Sequence, residues 1–384
     1  MRRPRVGADV DGPRRFGIEE EYLLLDRCTA EPANRAAELL REAPEHREAA
    51  EREFFSSQLE TATPVCTAAE EAEASLAKFR AALSVAAARH DVVLAGTGLP
   101  PAGGETAGSV TPRRRYREIR SEVRSAAARQ YVTGTHVHVE IPSREAGVEV
   151  LARLARWAPA LIALTANSPI WCGAPTGFAS WRHIKSMAWP LSGYPPEFAD
   201  GAEYAAAVER LVASGVILDP GLVTWVARLS ENFPTIELRI ADAQLRVGDA
   251  VEFALLVRAL VAGCLRDAER GVPRPRIAPG MANGAIWMAA RDGLGGDLID
   301  PETGARTPAF EHIDRMVESV APELQCAGDL ERVEHYLERR RAQGSPAERQ
   351  LLRFRESGLF GLLDLYRAGT EEGIWSETEY RPVG

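Results

Sequence analysis

Lysine is nearly missing from this 384-residue chain. Only Lys78 and Lys185 occur, so almost all the positive charge is arginine. If such a chain clamps phosphates or carboxylates, guanidinium groups must do most of it, and their planar fork suits both anions. Surplus positive charge is also missing: the net charge is −9 and the pI about 5.5. That balance argues against general affinity for nucleic acid or an anionic membrane. The five cysteines, Cys28, Cys66, Cys172, Cys264 and Cys326, are scattered and include no C-x-x-C. They offer no zinc or disulfide framework and fit a reduced, cytoplasmic chain. No run of about 18 apolar residues could span a bilayer. The basic start, MRRPRVGADVDGPRR, lacks the apolar stretch of a secretory signal. Neither G-x-x-x-x-G-K-[ST] nor G-x-G-x-x-G occurs, so "GTG" and "AGG" read as turns.

What remains is an ordinary globular composition, 45% hydrophobic and 26% charged. Residues 1–13 read as a flexible leader, and 14–384 as a single domain without repeats or long linkers. "FGIEEEYLLL", "VVLAGTGL", "YVTGTHVHVEIP" and "PTIELRIAD" read as strands. A helix is expected from Thr67, with Glu70 completing a capping box. Further helices are expected over 113–129, 145–166, 201–214, 249–270, 281–292, 309–321, 328–342 and 346–367. "LIDPETGARTP" reads as a hairpin or loop turning at Pro301 to Gly304. Few strands among long helices indicate an α+β fold, with helices packed on one face of a largely antiparallel sheet.

Three strands share one division of labour, because side chains alternate faces along a strand. In the first, Phe16, Ile18, Glu20, Tyr22 and Leu24 form one row, and Gly17, Glu19, Glu21 and Leu23 the other. In the second, Val137, Val139 and Ile141 oppose His136, His138 and Glu140. In the third, Ile236, Leu238 and Ile240 oppose Glu237 and Arg239. A polar row facing water is the plain reading of any one strand. Solvent faces usually use Thr, Ser, Lys and Gln, however, whereas these rows use metal-ligand and phosphate-binding types. A sheet face carrying carboxylates and an imidazole suits Mg²⁺ or Mn²⁺. A cation between Glu19 and Glu21 would turn their repulsion into coordination. Glu20, on the apolar row, requires another explanation, either exposure or an arginine partner. Glu60, in "FFSSQLETATP" at the end of an extended stretch just before the capped helix, joins the acidic set or is an exposed loop acid.

The segments "FGIEEEYLL", "SSQLETATPVC", "RRYREI", "THVHVEIP", "NSPIW", "TGFASWR" and "PTIELRIAD", in that order, resemble the bacterial type 2 glutamate–cysteine ligases. These enzymes are also called carboxylate–amine ligases. The resemblance implies a glutamine-synthetase-like catalytic fold, whose curved sheet holds metals and ATP. It implies Glu19, Glu21, Glu60, His136 and Glu237 as metal ligands and Arg239 as a contact to nucleotide phosphate. Arg182 matches an arginine for substrate or phosphate, and Arg115 and Tyr116 a substrate-side pair. His138 would replace or support His136. ATP and Mg²⁺ (or Mn²⁺) are the implied cofactors, with small-molecule amino-acid and amine substrates and a homodimer as one assembly. The implied reaction joins an amino-acid carboxylate, glutamate by default, to an amine, cysteine by default, through an acyl phosphate. Three features depart from the family pattern: Leu99 replaces a histidine, the following loop, "PAGGETAGS", is Gly-rich rather than aromatic, and Asn283 lies two residues before the expected slot, which Ala285 occupies. They leave open a ligase of a specialised natural-product pathway. A non-catalytic nucleotide- or metal-binding homologue and a metal-dependent hydrolase are the other readings.

Overall fold

The structure, a computed structural model, describes residues 12–46 and 50–371; most of the proposed leader lies outside them. The strands are β1 Phe16–Asp26, β2 Ala50–Arg52, β3 Gln58–Ala62, β4 Val92–Ala95, β5 Gly134–Glu140, β6 Ile170–Trp171, β7 Ala174–Pro175, β8 Ala227–Leu229, β9 Thr235–Asp242, β10 Asp297–Ile299 and β11 Arg306–Pro308. The first helices are α1 Ala36–Glu42, α2 Ala69–Arg89, α3 Arg114–Val123, α4 Arg144–Leu154, α5 Ala158–Thr165, α6 Trp181–Ser186 and α7 Gly201–Ala213. The rest are α8 Val247–Glu269, α9 Pro279–Asp292, α10 Ala309–Ser319, α11 Ala321–Ala327, α12 Leu330–Gln343 and α13 Pro346–Glu371.

The main sheet has the order β2-β3-β1-β5-β9-β8, and β4 also pairs with β1. Every pairing is antiparallel. β1 organises it: residues 16–20 pair with β5, 19–23 with β3, and 23–26 with β4. The apolar rows pack against helices as their period requires. Phe16, Ile18, Val137, Val139, Ile236, Leu238 and Ile240 are all buried, in one cluster with residues of α2, α4 and α8. Each such side chain contributes roughly 1.5–3 kcal/mol relative to exposure. The opposite row is thereby fixed, since a one-residue slip would turn the apolar set outward.

Several local expectations change; the 113–129 helix, for one, is α3 and ends at Val123, followed by a single 3-10 turn at Arg124–Ala126. Helix α2 starts later than expected, and its cap is made by Glu71, not Glu70. The Glu71 carboxylate accepts from the backbone N–H groups of Thr67 and Ala68, at 2.7 and 3.1 Å. The expected 145–166 helix is two helices, α4 and α5, because Pro159 opens the second and cannot lie inside the first. The "NSPIWCGAPTG" loop contains the two-residue pairing β6–β7. The 309–321 helix stops at Ser319, and Pro322 starts the separate α11. β10 and β11 form the expected hairpin. Among the described residues, no helix is long and apolar enough to cross a membrane.

Candidate functional site

The strand registers gather the polar rows. Glu19 lies opposite His136, Glu21 opposite Glu60, and His138 opposite Glu237. Directly opposed residues share a sheet face and bring their side chains within reach. Two ligand groups result: Glu19, His136 and Glu237, and Glu21, Glu60 and His136. Within each, one donor atom per residue lies within 4.8 Å of the others. His136 belongs to both, with Nδ1 3.3 Å from Glu19 and Nε2 3.9 Å from Glu21. His138 joins the same face: Nε2 is 3.2 Å from Glu19 and 4.0 Å from Glu237.

The middle glutamate of the run Glu19, Glu20 and Glu21 turns the other way. Glu20 is fully buried and forms an ion pair with Arg80 at 2.6 Å. Arg80 also donates to the carbonyls of Leu245 and Gln244, at 2.7 and 3.0 Å, and Tyr22 donates to Glu20. The three charges are thus separated: Glu20 is neutralised beneath the sheet, while Glu19 and Glu21 face the site.

The two ligand groups differ electrically. Burial pushes Glu19 upward, but hydrogen bonds with His136 and His138 overcome it and hold the carboxyl well below its usual range. Glu237 is likewise held low against burial, by the charges of Arg239 and Arg228. On the other side, burial and the charge of Glu53 push Glu21 up to about 7. Burial and the charges of Glu53, Glu21 and Glu19 raise Glu60 well above the ordinary range. Burial, and then Arg239, lower His136 to about 4, leaving it a neutral imidazole near neutral pH. A cation fits this donor set: it would neutralise crowded carboxylates and accept a neutral nitrogen. Oxygen donors with an imidazole, and no thiolate, are those of a hard divalent ion.

The predicted arginines take distinct positions. Arg239 donates to Glu237, and its Nη1 lies 3.4 Å from His136 Nδ1. Arg182 is buried beside the end of β9, donating to the carbonyls of Arg239 and Ile240 at 3.2 and 3.4 Å. Its packing requires a glycine: a Cβ on Gly134 would lie 2.3 Å from Arg182 Nη2. The Gly134 N–H in turn donates to Glu21 at 2.6 Å. Tyr116 donates to Glu53 at 3.1 Å, which ties it to the acidic group. Arg115 is half-exposed and pairs with Asp219 at 2.8 Å.

Three residues of the site went unread in the sequence. Glu53 is the carboxylate whose charge raises both Glu21 and Glu60; the spacing to Glu60 in "EFFSSQLE" was its only signal. Arg228 lies opposite Glu237 and holds both of its oxygens, at 2.6 and 3.1 Å. Asp242, at the end of β9, accepts from the Ser168 and Ser180 hydroxyls and the Asn167 N–H. The family departures fall elsewhere. Leu99 is a fully buried core residue, and Asn283 accepts from the Tyr194 N–H at 2.7 Å.

A cleft of about 410 Å³ adjoins the face where Glu19, His138 and Glu237 meet. Tyr204, Val208, Val223 and Leu229 give it an apolar wall, and Phe233, largely exposed, forms part of its rim.

Comparison with known proteins places this geometry in context. The family model described as glutamate-cysteine ligase family 2 matches residues 15–375. A Saccharopolyspora erythraea protein provisionally named glutamate–cysteine ligase 2-1 is 41% identical over 340 residues, 88% of this chain and 90% of the relative. A Salinispora tropica protein, provisionally named glutamate–cysteine ligase 2, is 40% identical over 336 residues, 87% of this chain and 89% of its own. Among solved structures, the glutamate–cysteine ligase of Francisella tularensis, in complex with AMP, superposes with a TM-score of 0.71. It shares 12% identity, and the match covers 95% of this chain and 90% of that one. That likeness fixes the α+β, glutamine-synthetase-like fold.

Proposed function

The chain belongs to glutamate–cysteine ligase family 2, and on that premise we propose that it is an ATP- and Mg²⁺-dependent ligase. It joins the carboxylate of an amino acid, glutamate by default, to an amine, cysteine by default. Residues 14–384 act as one catalytic unit. The observation that carries this reading is the convergence of Glu19, Glu21, Glu60, His136 and Glu237 into two adjoining donor groups that share one imidazole.

A carboxylate is a poor acylating agent. Transfer of the ATP γ-phosphoryl group to it gives an acyl phosphate and ADP; attack by the amine then gives the amide, releasing phosphate and the amine's proton. Two anions must first be brought together, and divalent cations supply the charge neutralisation that permits it. Glu19, His136 and Glu237 would hold one cation, and Glu21 and Glu60 the other, since a neutral imidazole offers its single lone-pair nitrogen to only one of them. The chain's own cations do the rest. Arg239, held by Glu237, contacts phosphate and stabilises charge on the transferring group. Arg182, together with Arg115 and Tyr116, serves the carboxylate side, where Glu53 orients the Tyr116 hydroxyl. His138 steadies Glu19 and borders the nucleotide side. The apolar wall of the cleft and the Phe233 ring suit a nucleobase. No covalent enzyme intermediate is required, so the site needs no Ser or Cys nucleophile.

Incubation with ATP, Mg²⁺, glutamate and a panel of amines, with ADP release as the readout, tests this function. Stoichiometric ADP and amide are expected with at least one amine. Absence of turnover with every amino-acid and amine pair would overturn it.

A further inference from the structure

Arg228 makes an unusual set of contacts. Its Nε and Nη2 take the two oxygens of Glu237, at 2.6 and 3.1 Å. Its Nη1 donates to two backbone carbonyls, Gly221 and Val223, both at 2.9 Å. The guanidinium is mostly buried, and Glu237 is almost wholly so. Gly221 and Val223 lie in a short segment that runs from Asp219 along the cleft, and all three of Gly221, Val223 and Arg228 line it. The far end of that segment is held by Arg115, which crosses from α3 to Asp219. One side chain thus joins a residue of the acidic face to the backbone wall of the cleft.

We infer that Arg228 is a positioning residue that couples the cation held by Glu19, His136 and Glu237 to the placement of segment 219–223. The inference rests on the cation reading given above. A carboxylate has about four lone-pair positions. The Arg228 fork occupies one on each Glu237 oxygen and fixes the plane of the group; Arg239 takes a second on Oε1, so the position left for a cation is on Oε2. Partners that orient a metal ligand in this way typically set affinity by about 10- to 100-fold. Because the same guanidinium holds Gly221 and Val223, anything that fixes Glu237 also fixes the cleft wall, and loss of the fork releases both. A lysine cannot substitute: its single ammonium carries the charge but cannot span two oxygens and two carbonyls.

The test is Mn²⁺ binding to the full chain, followed by electron paramagnetic resonance, with hydrogen exchange at residues 219–224 as a second readout. Wild type is expected to show two classes of Mn²⁺ site, and Mn²⁺ to slow exchange at 219–224. Arg228→Gln should weaken one class by about 10- to 100-fold, leave the other unchanged, and abolish the exchange response. Arg228→Lys, a milder change should the first variant fold poorly, should fall between them. In a Glu237→Gln background, Arg228→Gln should weaken Mn²⁺ no further, because both act through one carboxylate. Equal weakening of both classes would reduce Arg228 to a structural role and overturn the inference. So would two unaltered classes in Arg228→Gln. Wild type that binds no Mn²⁺ would instead remove the cation reading itself.

Discussion

At the scale of single residues, the glutamate triplet shows how one short stretch serves two sides of a sheet. Glu20 and Arg80 are both fully buried, and Arg80 spends its remaining donors on three backbone carbonyls. Removing one partner of a buried pair leaves an uncompensated charge, at a cost of about 3–5 kcal/mol. Arg80→Met is therefore expected to lose that much in urea unfolding, whereas Arg80→Met with Glu20→Gln should recover part of it. Glu21 carries a different prediction. Burial and Glu53 raise it to about 7, against an ordinary 4.5. Between those values it keeps a proton that an exposed carboxylate would have lost, and a cation must displace that proton. Glu60 of the same donor group is raised as well, so affinity for Mn²⁺ at this side should rise by about tenfold per pH unit for each proton displaced, with the Glu21 contribution levelling off above pH near 7. His136, lowered to about 4, is already deprotonated over this range and adds no competition. Calorimetry at pH 6 in two buffers of different ionisation heat should return about one proton released per cation from Glu21, and more as Glu60 contributes. Affinity that stays flat from pH 5.5 to 8, at the pH interval where this carboxyl titrates, would remove Glu21 from the ligand set.

At the scale of elements, period-2 alternation made β1, β5 and β9 readable, and with them four of the five proposed ligands, Glu19, Glu21, His136 and Glu237, together with Arg239; Glu60 lies on β3. Each of those strands is long enough for its two rows to separate by polarity. β8 is not: three residues cannot show a period, so Arg228 had no sequence context although it faces Glu237 directly. Glu53 sits just before a turn and is identified by Tyr116, 63 residues away. Asp242 extends an apolar strand and is explained only by the loop carrying Asn167 and Ser168. Such partners are set by tertiary closure, which local pattern cannot encode. The junction of β5 with α6 yields a further prediction. Gly134 opens β5, and a Cβ there would lie 2.3 Å from Arg182 Nη2 and 3.0 Å from the Ala241 carbonyl. Gly to Ala in a strand ordinarily favours folding by restricting the unfolded chain. Here it should push the Arg182 guanidinium off the end of β9. The KM for the carboxylate substrate is expected to rise roughly tenfold or more, the scale of one charge-assisted hydrogen bond. In an Arg182→Ala background, Gly134→Ala should change KM little. An equal effect in both backgrounds would show that the glycine acts on the backbone and not through Arg182.

At the scale of the whole molecule, the sheet divides its labour between faces. One face buries the apolar rows beneath α2, α4 and α8 and supplies the stability; the other concentrates carboxylates that repel one another. Glu21, Glu53 and Glu60 all have raised affinities for protons, with burial as the leading cause. The fold therefore carries its acidic face as a load, and divalent cations should relieve it. A ligand that binds only the folded state stabilises it by about 2.7 kcal/mol at a hundred times its dissociation constant. For a chain of 384 residues, with an unfolding entropy of about 2.1 cal/mol/K per residue, that corresponds to a rise in Tm of about 3 °C. Mg²⁺ or Mn²⁺ should produce that rise, and Na⁺ at equal ionic strength should not, because screening alone cannot replace coordination at buried carboxylates. ATP without a divalent ion should do little, since its phosphates would meet Glu19 and Glu237 unneutralised. ATP and Mg²⁺ together should exceed the sum of their separate shifts, which is the thermodynamic mark of two ligands that each improve the other's site. Differential scanning fluorimetry over the four combinations decides it. A shift reproduced by Na⁺, or additive shifts from ATP and Mg²⁺, would mean that the acidic face does not bring cation and nucleotide together.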